Sequence, residues 1–215
     1  MSGHAPSLPA IPSPAADRRL VDLTFVVVDT ETTGTAHRAG DRLTEFAAVV
    51  VRGGQQASHY TTLLNPERPI PRYITRLTGI DGAMVRDAPR FRDVRAQVRH
   101  LFDDACVFVA HNAPFDWGFV NMELDRAGDR PLSNDRLCTV RLARRLLSDL
   151  PRRSLDHVTT YYGIRVEGRH RALGDAMATA QVLGRLLDEA YVRGCDTWGD
   201  LDRLLHPGRA RRPGS

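Results

Sequence analysis

The segment 25-FVVVDTETTGT-35 constrains the fold more than any other part of the chain, because an apolar run leads straight into two carboxylates. Residues 23–29, LTFVVVD, are apolar and β-branched on both alternations, which predicts a central strand covered on both faces. Asp29 and Glu31 lie two residues apart, so they would project from one face at the end of that strand. Two like charges so close need a cation between them, or one pKa rises. The alternative is that the strand has already ended and both side chains are solvated loop residues.

The order of the remaining apolar segments predicts an α/β fold with a mixed five-stranded sheet. Strands at 43–52 and 57–64, joined by a turn at GGQQ, would form an antiparallel three-strand meander with the first. Helices and strands then alternate, which places helices on both faces of the sheet. We predict further strands at 106–112 and 136–140, and helices at 72–77, 89–104, 113–127, 140–148, 154–162 and 172–193.

Length and composition indicate one globular domain. The chain has 215 residues, of which 42% are hydrophobic, and no apolar run approaches the ~20 residues of a membrane helix. We expect a flexible Pro/Ala/Ser-rich tail over 1–20, the domain over 21–195, and a weak helix with a basic tail over 196–215. The N-terminus lacks the pattern of a secretory signal, and three widely spaced cysteines suggest a reduced, cytoplasmic protein.

The distribution of charge favours an anionic partner. The net charge is +4, and all 30 basic residues are arginine. The stretch from Arg126 to Arg171 contains eleven arginines against five acidic residues. A guanidinium can donate two hydrogen bonds to a phosphate at once, so nucleic acid is a candidate partner. A solvated basic face would have the same composition.

Two predicted helices carry an aspartate where their period calls for an apolar residue. In 111-HNAPFDWGF-119, Asp116 shares a stripe with Phe119 and Val120, and Asn112 is placed to cap the helix. In 170-HRALGDA-176, Asp175 shares a stripe with residues 179, 182 and 186, and His170 lies on the loop before the helix. Taken singly, each aspartate could simply favour a helix N-terminus, and an isolated histidine is usually a surface residue.

Together these residues predict a metal site. A buried cluster of carboxylates is costly unless cations neutralise it. Hard divalent cations prefer such oxygen ligands, and Mg²⁺ is the leading choice where phosphate supplies the remaining ligands. Two ions about 3.5–4 Å apart can support an in-line displacement at phosphorus.

The motifs DTETTG, HNAPFD and HRALGDA, in this order, resemble those of the DnaQ-like DEDDh 3′–5′ exonucleases, over about residues 23–190. The resemblance implies a ribonuclease-H-like fold and release of nucleoside 5′-monophosphates from a 3′ end. It implies that two divalent cations, Mg²⁺ or Mn²⁺, are held by four carboxylates and that His170 is the general base. The four carboxylates are Asp29, Glu31, Asp116 and Asp175, with Asp29 bridging both ions and Asp116 acting through water.

The same resemblance suggests residues that contact the terminal nucleotide. They are Thr32, Thr33 and Gly34 through backbone amides, together with Leu77, Phe115 and Asn112, although core packing is the favoured role for Phe115. His111 is placed at a strand end, which favours a structural role over a catalytic one.

Three functions stay open at this point. The first is a DNA 3′–5′ exonuclease acting on single-stranded or frayed ends, the second an exoribonuclease, and the third a non-catalytic module that binds nucleic-acid ends. The glycine-bearing ETTG form resembles the proofreading branch of the family, which suggests a polymerase or repair partner. No glutamine follows Gln181, so no clamp-binding motif is present after it, and the segment after Gly194 is short. We therefore expect a stand-alone or loosely associated exonuclease, without a prediction of its oligomeric state.

Overall fold

A five-stranded mixed sheet forms the centre of the molecule, in a computed structural model that describes residues 16–102 and 106–207. The strand order is β3-β2-β1-β4-β5. β1, β2 and β3 form the predicted antiparallel meander, and β4 and β5 run parallel to β1. The strands are β1 Thr24–Thr32, β2 Leu43–Arg52, β3 Gln55–Leu63, β4 Val107–Ala110 and β5 Arg136–Cys138.

The described residues form eight α-helices. They are α1 Arg72–Thr78, α2 Gly82–Arg86, α3 Phe91–Leu101, α4 Ala113–Arg126, α5 Thr139–Leu146, α6 Leu155–Tyr161, α7 Ala172–Val192 and α8 Trp198–Leu205. Of these, α3 to α8 pack on the two faces of the sheet. Successive side chains of β1 point alternately to the two faces of the sheet and pack into two separate hydrophobic cores. Phe25 and Val27 pack with α5, α6, α7 and α8 on one face. Val26 and Val28 pack with α3 and α4 on the other, which confirms the predicted α/β class.

β1 extends further than its hydrophobic pattern predicts. Its ladder with β2 continues to the pair Thr32 and Leu43, with an irregularity after Glu31. Asp29 and Glu31 therefore lie inside the strand, and the alternative that they belong to a solvated loop is wrong. The backbone of these polar residues forms the ladder with β2. A hydrophobic pattern does not show which strand a segment pairs with, so it could not predict this extension of β1.

The other differences concern short elements and ends. β3 begins at Gln55, because the turn needs only Gly53 and Gly54, both with positive φ. α2 was not predicted; it is five residues long, and the side chain of Asp81 accepts from two of its backbone N–H groups. α3 ends at Leu101, and residues 103 and 104 of its predicted range lie outside the described residues.

The first described residues pack against the last helix. Leu20 is buried, its N–H donates to Asp196 O, and Arg18 O accepts from the N–H of Trp198. Residues 16–20, assigned by the sequence to a flexible tail, thus contact the folded domain, while residues 1–15 lie outside the described residues. In the described parts of the chain, no helix combines the length and apolar character needed to cross a bilayer.

Candidate metal centre and active site

Three carboxylates from β1 and α7 converge at one point. Asp29 and Glu31 continue the β1 alternation that places Val27 on the α7 face, and Asp175 lies in the first turn of α7. One oxygen from each of the three lies within 4.8 Å of the others. Asp175 is buried because its neighbours on the helix stripe, Thr179 and Val182, pack against the sheet. The structure thus confirms that Asp29 and Glu31 project from one face of the strand and that Asp175 points inward.

Asp116 reaches the same region from the opposite face of the sheet. It is 4% exposed and accepts a hydrogen bond of 2.8 Å from Thr30 Oγ1. Thr30 lies between Asp29 and Glu31 in the strand and so faces α4. Asp116 stands outside the group of three converging carboxylates, yet its charge contributes to the raised pKa of Asp29. A contact of Asp116 with an ion through water remains a prediction.

The ionised form of every one of these carboxyl groups is disfavoured. Burial, followed by the charges of Asp116, Asp175 and Glu31, raises the pKa of Asp29 well above its usual range. Burial and the neighbouring carboxylates raise the pKa of Glu31 to about 8. Burial raises the pKa of Asp116 to about 7, although the Thr30 hydrogen bond opposes the shift. Burial also raises the pKa of Asp175, against the opposing charge of Arg169.

The donor set fits a hard divalent cation. All converging ligands are carboxylate oxygens, which Mg²⁺ and Mn²⁺ prefer. Among the described residues, Asp175 Oδ1 is buried without any hydrogen-bond partner. A buried anionic oxygen in that state is destabilising unless a cation contacts it. The cluster can therefore bind a metal ion.

His170 and Arg169 border the cluster on the loop before α7. The backbone N–H of His170 donates to Asp175 Oδ2 at 3.3 Å, and His170 has a left-handed backbone with φ of 62°. Arg169 Nη1 forms an ion pair with Asp175 Oδ2, and Arg169 Nε contacts Asp156 Oδ1 at 2.6 Å. Sequence reasoning placed His170 at the site and missed Arg169, because the contact depends on the path of the loop.

An ion pair between buried Glu45 and partly exposed Arg171 connects this loop to β2. Glu45, which pairs with Glu31 across the β1–β2 ladder, is 3% exposed. Its two oxygens accept from Arg171 Nε at 3.0 Å and Nη2 at 2.7 Å, and one also accepts from the N–H of Ala172 at 2.9 Å. Glu45 was not predicted from the sequence, although a charge inside the apolar segment LTEFAAVVV is the same signal that identified Asp29.

Two of the predicted nucleotide-binding residues in the TTG segment are held tightly within the fold. Thr32 and Thr33 are 6% and 1% exposed, and the N–H of Thr33 donates to Arg42 O at 2.9 Å. That amide already has a partner, so a nucleotide would have to share it. Gly34 lies against Asp41, whose carboxylate would overlap any Cβ at this position.

The remaining predicted contacts differ in their surroundings. Leu77 is 53% exposed on α1, and Phe115 packs against Phe119 with ring centroids 4.9 Å apart. Asn112 precedes α4, but its side chain accepts no capping hydrogen bond, so the predicted side-chain cap is wrong. Its backbone is left-handed, with φ of 84°, whereas a capping side chain normally requires an extended backbone. Asn112 is exposed, and its contact with a nucleotide remains a prediction.

His111 has a structural environment, as its position suggested. Nδ1 lies 2.8 Å from Thr139 Oγ1, and Nε2 lies 2.8 Å from Arg153 O. Because a carbonyl only accepts, Nε2 carries the proton and Nδ1 accepts from the threonine hydroxyl. Burial lowers the pKa of His111 to about 4, which keeps the ring neutral.

Several arginines of the basic stretch 126–171 have partners inside the protein. Arg126 pairs with buried Glu123, and Arg153 donates to the carbonyl oxygens of Leu147 and Ser148. Arg169 and Arg171 pair with carboxylates at the site. The excess of arginine in this stretch therefore overstates the charge that is available to a nucleic acid.

Comparisons with known proteins agree with this geometry. A sequence model of the RNase_T family, described as exonuclease, matches residues 26–183. A DNA polymerase III subunit epsilon-like protein of Rhodobacter capsulatus is 41% identical over 93% of this chain and 29% of its own length. The 3′-5′ exonuclease DinG of Bacillus subtilis is 37% identical over 84% of this chain and 19% of its own length. This chain thus spans less than a third of either relative.

Among solved structures, Exonuclease X in complex with 5′ overhanging duplex DNA is similar with a TM-score of 0.66 and 28% identity. The match covers 85% of this chain and 99% of that one. The predicted ribonuclease-H-like sheet is thereby confirmed by a structural relative of nearly the same extent.

Proposed function

The chain belongs to the RNase_T family of exonucleases, and we propose that it is a metal-dependent 3′–5′ exonuclease acting on DNA. The observation that carries the proposal is the convergence of Asp29, Glu31 and Asp175 with an unpartnered buried oxygen on Asp175. Such a site suits phosphoryl transfer, in which positioning and charge stabilisation provide most of the catalysis.

The carboxylates of Asp29, Glu31 and Asp175 would hold two divalent cations, with Asp116 contributing through water. When bound, these cations supply Lewis-acid stabilisation of the phosphoryl oxygens and lower the pKa of the attacking water. Mg²⁺ suits the all-oxygen donor set, and Mn²⁺ can replace it.

His170 would accept the proton of the attacking water at a ring nitrogen. The water oxygen forms the new bond to phosphorus, the bond from phosphorus to the 3′ oxygen breaks, and that oxygen takes a proton from solvent water and leaves as the new 3′-hydroxyl. The released product is a nucleoside 5′-monophosphate. An imidazole suits this role because histidine exchanges protons near neutral pH. Its position on the loop before α7 would allow it to approach the substrate when that binds.

DNA is favoured over RNA because Exonuclease X, which this chain matches over nearly its whole length, is described in complex with duplex DNA carrying a 5′ overhang. Thr32, Thr33, Gly34, Leu77, Phe115 and Asn112 would contact the terminal nucleotide. A polymerase or repair partner is consistent with the epsilon-like relative.

The test uses 5′-labelled single-stranded DNA, duplex DNA with a recessed 3′ end, and RNA of the same sequence. We expect stepwise shortening of DNA from the 3′ end with Mg²⁺ or Mn²⁺, and none with EDTA. Asp29→Asn should reduce cleavage to background, and His170→Ala should slow it roughly 10²- to 10⁴-fold. Exposed Asp22→Asn and His59→Ala are the matched controls and should cleave like the wild type. Full activity of Asp29→Asn would refute the proposal. Faster shortening of RNA than of DNA would identify RNA as the preferred substrate.

A further inference from the structure

Arg169 supplies a positive charge to the carboxylate cluster, and it lies outside the three sequence motifs. Its Nη1 contacts Asp175 Oδ2, and its charge opposes the rise in pKa of Asp29, Glu31 and Asp175. Its side chain is 30% exposed, against 5% for Asp175. The guanidinium therefore contacts the buried cluster from the solvent side.

A divalent cation and this guanidinium would compete for the same carboxylate. Asp175 Oδ2 is already engaged by Arg169 and by the N–H of His170, whereas Oδ1 has no partner. A cation bound between Asp29, Glu31 and Asp175 would lie next to the arginine, and like charges at such a distance repel. Binding of the ion should therefore weaken the Arg169–Asp175 pair, and the reverse must hold by linkage.

Asp156 offers the guanidinium a second position. Arg169 Nε already lies 2.6 Å from Asp156 Oδ1, and the Asp156 side chain is 62% exposed on α6. The hydrogen bond from Arg169 lowers the pKa of Asp156, so this carboxylate is ionised at neutral pH. Arg169 can consequently leave Asp175 without losing its ionic partner.

The loop already places the Arg169 guanidinium in contact with both carboxylates, so the exchange needs only a side-chain movement. Gly174 lies in the first turn of α7, and a Cβ there would overlap the carbonyl oxygens of Glu167 and Gly168. The loop thus packs directly on the helix backbone. Gly168 itself has φ of 67°, a conformation that glycine adopts without strain.

We propose that Arg169 is an exchangeable counter-ion of the metal site: it pairs with both Asp175 and Asp156 in the metal-free protein and keeps only Asp156 when a divalent cation binds. Arg169 therefore sets the affinity of the site for the metal. The inference rests on the metal site of the proposed function.

The test measures Mn²⁺ binding to metal-stripped protein by calorimetry, without nucleic acid. Arg169→Gln should bind Mn²⁺ roughly tenfold more tightly than the wild type, within the usual range of coupling between sites. The matched control is Arg126→Gln, since Arg126 is 29% exposed and also pairs with a buried carboxylate, Glu123, outside the cluster. Its Mn²⁺ affinity should equal that of the wild type. The rise in Tm produced by saturating Mn²⁺ should be larger for Arg169→Gln alone.

Asp156→Asn provides an independent variant at an exposed position. Without the second partner, Arg169 should stay on Asp175, and Mn²⁺ should bind several-fold more weakly than in the wild type. In the double variant with Arg169→Gln, the Asp156→Asn change should have no further effect. If the wild type binds Mn²⁺ and Arg169→Gln binds it equally or more weakly, the inference about Arg169 is wrong, while the proposed function stands. Absence of Mn²⁺ binding by the wild type would overturn the proposed function and this inference together.

Discussion

At the scale of single residues, the titration of Glu31 links the stability of the fold to metal binding. Burial, together with the charges of Asp175, Glu45 and Asp116, raises the pKa of the Glu31 carboxyl group from 4.5 to about 8. The folded protein therefore retains a proton that the unfolded chain releases above pH 4.5. A divalent cation would replace this proton, so metal affinity should rise with pH up to about 8.

We expect the metal-free protein to lose stability as the pH rises from 4.5 to about 8. Below this window the carboxyl is protonated in both states, and the stability it contributes is fully present. Within the window only the unfolded chain loses the proton, so the free energy of unfolding falls with pH. Glu31→Gln should flatten the dependence of Tm on pH in EDTA, while Asp22→Asn, at an exposed position, should leave it unchanged. Parallel curves for Glu31→Gln and the wild type would contradict this assignment.

The sequence predicted the orientation of single side chains correctly where a strand or helix period determines it. The two-residue period of β1 predicts that Asp29 and Glu31 point together, and the helical period predicts that Asp116 and Asp175 are buried. The contact between Arg169 and Asp175 was not predictable, because it depends on the three-dimensional path of residues 167–170. The missing side-chain cap of Asn112 has the same origin, since no pattern of residue types reports a left-handed backbone.

At the scale of elements, an ion pair between buried Glu45 and partly exposed Arg171 connects β2 to the start of α7. Glu45 accepts hydrogen bonds from Nε and Nη2 of Arg171 and from the N–H of Ala172, the first residue of α7. His170 directly precedes Arg171, so this pair fixes the end of the loop that carries the proposed base. The pattern of the sequence predicted both elements, but it could not pair residues 126 positions apart. It also missed α2, whose five residues are too few for a helical period.

Arg171→Gln should destabilise the protein by about 3 kcal/mol, because it leaves the Glu45 charge buried with a single hydrogen bond. Urea unfolding measures the loss, and Glu45→Gln added to Arg171→Gln should restore part of it by removing the unpaired charge. The stability control is Arg42→Gln, since Arg42 forms a similar forked pair with buried Glu123 at 2.6 and 2.9 Å. Turnover of folded protein should fall more for Arg171→Gln than for Arg42→Gln. Equal losses of turnover would show that the Glu45 pair only stabilises the fold.

At the scale of the whole molecule, two cores on opposite faces of one sheet hold the site between them. Asp29, Glu31 and Asp175 lie on the side of the α7 core, and Asp116 lies on the side of the α4 core. The α7 core also includes Leu20 and the α8 residue Trp198, so the ends of the described chain close it. The sequence assigned residues 16–20 to a tail because the N-terminal segment as a whole is rich in Pro, Ala and Ser, and only the tertiary contact with α8 reveals their packing.

Leu20→Ala should lower the free energy of unfolding by about 2 kcal/mol, at the low end for a buried leucine, because this side chain lies at the edge of its core. Leu20 is 7% exposed, whereas its neighbour Val21 is 46% exposed, so Val21→Ala is the control and should change stability by less than about 0.5 kcal/mol. Urea unfolding in EDTA measures both variants without a contribution from metal. Nuclease activity per folded molecule should stay at the wild-type level, since neither side chain belongs to the carboxylate cluster. Equal stability of Leu20→Ala and Val21→Ala would mean that the segment before β1 adds nothing to the α7 core.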